Sequence, residues 1–116
     1  MLIRPMTEHE LTDAYGIRYQ QLYPHGGEDL APWGFGRAVV EPGGATEPHQ
    51  HEENEVFVFL EGSGEITIGE ERAPVHPDLS VFIPGGSRHQ VTNASSDQRL
   101  VFLSIYWPES HGPVSL

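Results

Sequence analysis

Residues Gly43–Gly62 read G-G-A-T-E-P-H-Q-H-E-E-N-E-V-F-V-F-L-E-G, and this stretch decides how the rest of the chain is understood. It sets His49, His51 and Glu55 at H-x-H-x-x-x-E spacing ahead of an apolar run. Successive side chains of an extended strand point to opposite faces. His49, His51, Glu55, Phe57 and Phe59 are all odd-numbered, so an extended backbone puts them on one face. Two imidazoles and a carboxylate gathered in this way can hold a first-row transition metal. The even face, Val56, Val58 and Leu60, is apolar as well. Such a strand expects cover on both sides, a barrel interior on one and a second sheet or a second subunit on the other, and a homodimer is the expected assembly.

The stretch P-G-G-S-R-H-Q-V-T-N, Pro84–Asn93, supplies a further candidate ligand in His89, which shares its parity with Val91 and Asn93. Elsewhere, thirteen glycines and ten prolines punctuate short β-type segments. This is the pattern of an all-β sandwich or barrel, not of alternating helices and strands. Strands are expected at 17–23, 33–40, 55–60, 65–68, 72–75, 80–83, 89–92 and 100–107, and about eight at short spacing suggest a closed or nearly closed double sheet of the jelly-roll kind. One helical signal precedes them. Thr7–Glu10 has the form of a capping box, and Leu11 with Ala14 and Tyr15 would continue it for about two turns before Gly16. Residues 1–32 then form an N-terminal helix or strand arm, 33–108 the barrel and 109–116 a loosely held tail, all within one domain.

Composition narrows the chemistry. The 116 residues contain no cysteine, which excludes disulfides, zinc fingers, iron–sulfur clusters and thiol catalysis and leaves any metal to His, carboxylate and water. Seventeen acidic against six basic residues give a formal charge of -11, which opposes approach to nucleic acid and to anionic membranes. No apolar run approaches the roughly 20 residues that span a bilayer, and the start lacks a signal-peptide core, so a cytoplasmic protein is expected. His9, His25, His76 and His111 stand in helix, loop, turn and tail contexts that suit surface residues, with His25 the one that a barrel mouth would use.

Taken together, the two histidine-bearing stretches resemble the paired motifs of the cupin superfamily, G-x5-H-x-H-x3-E-x6-G and G-x5-P-x-G-x2-H-x3-N. Gly43, His49, His51, Glu55 and Gly62 fill the first; Pro84, Gly86, His89 and Asn93 fill the second, with Asp78 where a glycine is usual. Glycine and proline each occur at only about 5 to 7%, so agreement at nine positions is specific for fold. The resemblance implies a small single-domain cupin jelly-roll barrel in which His49, His51, Glu55 and His89 bind one divalent transition metal, zinc first and iron, manganese or nickel as alternatives. Four ligands on an octahedral ion would leave two positions for water, substrate or dioxygen. It also makes Asn93 a motif position, although Asn93–Ser95 is formally a glycosylation sequon.

Tyr15, Tyr19, Tyr23, Arg18, Arg37, Ser104 and Tyr106 are candidates to line the pocket as donors or acids, with Glu47, Glu52 and Glu53 near its mouth. Tyr19, Arg37, Glu47 and Tyr106 lead as catalytic candidates. A narrower similarity links W-G-F-G-R-A-V-V-E-P-G-G, the dense H-Q-H-E-E-N-E and the ending L-V-F-L-S-I-Y-W to the cupin module of hydrazine synthetases. That resemblance implies a biosynthetic, non-oxidative enzyme acting on a small amino-acid-derived metabolite. It would form an N–N bond from an aminoacyl-O-hydroxylamine beside a methionyl-tRNA-synthetase-like partner. The alternatives are an Fe(II) or Mn(II) dioxygenase or isomerase, and a non-catalytic ligand-binding or sensory module.

Overall fold

In the computed structural model of the chain, residues 1–108 are described. A single turn of 3-10 helix, Glu8–Glu10, precedes nine strands: β1 Thr12–Ala14, β2 Ile17–Tyr23, β3 Gly34–Val40, β4 Asn54–Glu61, β5 Gly64–Ile68, β6 Glu71–Val75, β7 Leu79–Ile83, β8 His89–Thr92 and β9 Leu100–Trp107. They form a six-stranded sheet in the order β1-β2-β3-β9-β4-β7 and a three-stranded sheet in the order β6-β5-β8, all pairs antiparallel. Between the sheets lies one core in which Ile17, Tyr19, Ala38, Val40, Phe57, Phe59, Ile66, Ile83, Val91 and Phe102 are buried. The jelly-roll reading holds. The expected tail at 109–116, with His111, lies outside the described residues.

The expected N-terminal helix is corrected to one 3-10 turn followed by a strand. Thr7 makes no side-chain capping bond, and Leu11 turns extended, with φ -77° and ψ 135°. The segment after it pairs with β2, Thr12 opposite Tyr19 and Ala14 opposite Ile17, so strand pairing outweighs a weak local helix signal. Gly16, read as a helix stop, is instead half of a hairpin turn in which Tyr15 and Gly16 have φ of 58° and 79°.

The first ten residues cover one end of the large sheet's outer face. Gln20 Nε2 donates to the Pro5 carbonyl at 2.8 Å, Arg4 Nη1 to the Leu22 carbonyl at 2.6 Å, and Arg99 reaches Glu8 at 2.6 Å. The rest of that face carries no cover from the described residues. Register aligns Phe35 with Ile105, Ile105 with Val56 and Val56 with Phe82, an apolar row crossing four strands. Phe35, Ile105 and Val56 are half-buried, whereas Phe82 is 53% exposed.

Asp78 explains its own departure from the motif. Its φ is 69°, a left-handed conformation that glycine adopts freely and aspartate tolerates better than most residues.

Candidate metal centre

The odd-numbered face of β4 points inward as the period of two requires: Glu55, Phe57 and Phe59 are completely buried. The loop before β4 is tied to the small sheet by reciprocal backbone bonds between His49 and His89, at 3.1 and 2.8 Å. That tie brings the two motifs together. His51, Glu55 and His89 each present a ligand atom, and these atoms lie within 4.8 Å of one another, the one such group among the described residues. His51 Nε2 is 3.2 Å and His89 Nε2 3.5 Å from Glu55 Oε1.

Both rings are aimed by the same device. His51 Nδ1 stands 3.1 Å from the Glu53 carbonyl and His89 Nδ1 3.0 Å from the Ser87 carbonyl. A carbonyl only accepts, so each Nδ1 carries a proton and each Nε2 faces the cluster, the arrangement that metal-ligating histidines use. His89 Nε2 is buried and has no hydrogen-bond partner among the described residues. An orphaned imidazole nitrogen beside a buried carboxylate and a second imidazole fits a divalent transition metal.

The electrostatics of the site are uneven. The hydrogen bond to Glu55 raises the His51 pKa above its usual value against the opposing effect of burial, whereas burial lowers that of His89. Pairing with Glu55 thus favours the protonated form of the His51 imidazole.

His49 stands beside this trio, and its Nε2 is likewise buried with no hydrogen-bond partner among the described residues. Its Nε2 is 3.6 Å from Glu47 Oε2, and its ring meets Tyr15 edge-on at 6.2 Å between centroids. The Tyr15–Gly16 turn is pinned by Glu47 N–H donating to the Tyr15 carbonyl at 3.0 Å, and Tyr15 in turn meets Tyr19 edge-on at 5.3 Å. Burial pushes the phenols of both tyrosines up, so they are donors at neutral pH.

Tyr19 and Tyr106 line the inner wall and are joined through one amide. Tyr19 donates to Gln21 Oε1 at 2.8 Å, and Gln21 Nε2 donates to the Tyr106 hydroxyl at 2.9 Å. Glycines on β3 make room for these rings, since a Cβ at Gly34 would sit 2.0 Å from the Tyr106 ring and one at Gly36 1.8 Å from the Tyr19 hydroxyl. Arg37 is not brought to the cluster. Ala38 and Val40 occupy the inner face of β3, so Arg37 between its neighbours faces outward, where its Nη2 lies 3.7 Å from Glu8. Arg18 likewise faces Glu8, at 3.6 Å, and Tyr23 bonds to the Leu2 carbonyl.

Asn93, the last residue of the second motif, is a loop organiser. It is 1% exposed, and its Nδ2 donates to the carbonyls of Val40 at 3.0 Å and Gln98 at 2.8 Å.

A two-sheet all-β barrel holding two histidines and a glutamate inside defines a small barrel protein with a candidate metal centre. The chain belongs to the cupin family: the cupin domain family matches residues 36–106. A cupin 2 conserved barrel domain protein from Salinispora arenicola superposes with a TM-score of 0.82 at 32% identity, covering 94% of this chain and 90% of that one. Auxin-binding protein 1 of Arabidopsis thaliana is 29% identical, over 72% of this chain and 46% of its own length. Dimethylsulfoniopropionate lyase DddW of Ruegeria pomeroyi is 32% identical, over 65% and 50%. The chain thus spans about half the length of these curated relatives. No helix among the described residues is long and apolar enough to cross a membrane.

Proposed function

We propose that this chain is a metal-dependent enzyme that holds one divalent transition metal, zinc first among the candidates, on His49, His51, Glu55 and His89. It acts non-oxidatively on a small amino-acid-derived metabolite. The observation that carries the reading is the convergence of His51 Nε2, His89 Nε2 and Glu55 Oε1 in the barrel, with both Nδ1 atoms anchored on carbonyls. A bound zinc supplies Lewis-acid polarisation of a carbonyl or hydroxylamine oxygen. Around it, Phe57 and Phe102 exclude water, and Tyr15 offers a phenolic donor beside His49. Glu47 and Glu53 beside the histidines favour a substrate bearing an ammonium group.

Similarity to a dimethylsulfoniopropionate lyase supports a reaction that needs no external oxidant. Similarity to an auxin-binding protein supports the second reading, a module that binds a small ligand without turnover. The test is elemental analysis of protein purified without added metal, followed by an anaerobic assay on aminoacyl-O-hydroxylamines, the substrates that the hydrazine-synthetase resemblance suggests. Zinc at about one per chain with oxygen-independent turnover is expected. Iron with dioxygen consumption would replace the reading with an oxygenase, and ligand-induced stabilisation without product would leave the binding module.

We further propose that a second copy of this chain covers the row Phe35, Ile105, Val56 and Phe82. The adjoining groove of Pro32, Trp33, Phe35, Ile105, Trp107 and Pro108 has no charged side chain. Two chains of formal charge -11 meet there without opposing carboxylates. Sedimentation equilibrium is expected to show a dimer that Ile105→Glu converts to a monomer; a monomeric wild type would remove this part of the reading.

A further inference from the structure

The inner positions of β9 are Leu100, Phe102, Ser104 and Tyr106, and the serine is the anomaly among them. Ser104 is completely buried. A hydroxyl buried without a partner is destabilising, so its partner identifies its task. That partner is Glu55: Ser104 Oγ donates to Glu55 Oε2 at 2.5 Å. The β4–β9 register sets Phe57 opposite Ser104 and Glu55 opposite Tyr106, which makes Ser104 and Glu55 diagonal neighbours on one face.

The two carboxylate oxygens of Glu55 are therefore divided. Oε1 faces His51 and His89, while Oε2 is held by the serine. We infer that Ser104 is a positioning residue that restricts Glu55 to one-oxygen binding of the metal, an inference that rests on the metal reading above. An oxygen that accepts a hydrogen bond from a buried hydroxyl is held back from swinging onto a second ligand position. One coordination position is thereby kept for substrate, and the carboxylate is oriented as supporting residues orient metal ligands elsewhere.

Zinc affinity by chelator competition, measured on the full chain, tests this. Ser104→Ala is expected to weaken zinc binding about 10–100-fold and to change the visible spectrum of the cobalt(II)-loaded protein, while Ser104→Thr, which keeps the hydroxyl, stays within about threefold of wild type. A Ser104→Ala protein with wild-type zinc affinity and an unchanged cobalt spectrum overturns the inference. Infrared difference spectra of the wild-type chain on adding zinc need no serine variant, with Glu55→Gln assigning the bands. Widely split carboxylate stretches mean one-oxygen binding; closely spaced stretches mean that both oxygens bind, and the inference fails. A wild type that takes up no zinc at all overturns the metal reading itself, a distinct result.

Discussion

The two faces of the six-stranded sheet are made by the same strands and do opposite things. On β4 and β9 the inner positions are Glu55, Phe57, Phe59, Phe102, Ser104 and Tyr106, all completely buried. One residue along, the outer positions Val56, Val58, Leu103, Ile105 and Trp107 are half-buried and apolar. On these two strands the inner face hides its polar groups, and the outer face is apolar. The inner face thus tolerates ionisable groups only because each has a partner, whereas the outer face beyond the small Leu11, Val39 and Val101 cluster is apolar along β4 and β9 without having a core to fill.

The largest expected contrast comes from emptying one side. Phe57→Ala removes a fully buried ring and is expected to cost about 3–5 kcal/mol in denaturant unfolding; a loss near 1 kcal/mol would mean that the inner face is not the main core of the sheet. Next in size is the loss of a ligand. His51→Ala should weaken zinc binding by more than the roughly 100-fold attributed to supporting residues, while Arg37→Ala on the outer face leaves it unchanged. Equal losses in the two variants would break the distinction between the faces.

Acidity separates them more gently. The folded-state pKa of His51 is raised by Glu55, so their pairing stabilises the metal-free chain fully below the ordinary imidazole range and is lost as pH rises through the raised value. Zinc must displace that proton, so its affinity is expected to climb by up to about tenfold per pH unit in the window where His51 is protonated. Titrations between about pH 6 and about pH 8 that show flat affinity would contradict this. The smallest effect belongs to the outer face: Phe82→Ala, at a side chain 53% exposed, should cost less than about 1 kcal/mol of monomer stability in the same unfolding assay used for Phe57.

Much of this was readable beforehand, for reasons tied to particular residues. Alternation carried Glu55, Phe57 and Phe59 to one face because β4 is straight through them, and the motif spacing brought His89 across because a backbone bridge joins it to His49. The turn at Asp78 was also readable, since aspartate is a good turn former. Other features needed the third dimension. The Thr7–Glu10 signal is local, and only the partner strand β2 shows that Thr12–Ala14 is extended. The sequence alone leaves the parity of β3 open, so from it Arg37 is as eligible for the pocket as Tyr19. Ser104 was visible as a pocket candidate, but its link to Glu55 depends on β4–β9 register, which no local pattern encodes. The setting of His49 beside the trio reflects the loop path through residues 46–53, where side-chain alternation has no strand to follow.

Asn93 leads to a practical consequence for producing the protein. Its amide is engaged inside the fold, so a glycosylating enzyme could modify the Asn93–Ser95 sequon only on a chain that has not yet folded. A sugar attached at that moment would replace one of the two Nδ2 hydrogens, so the Val40 and Gln98 carbonyls could not both keep their donor. Routing this chain through a eukaryotic secretory system would therefore set modification against folding, and a host that adds no glycan avoids the contest.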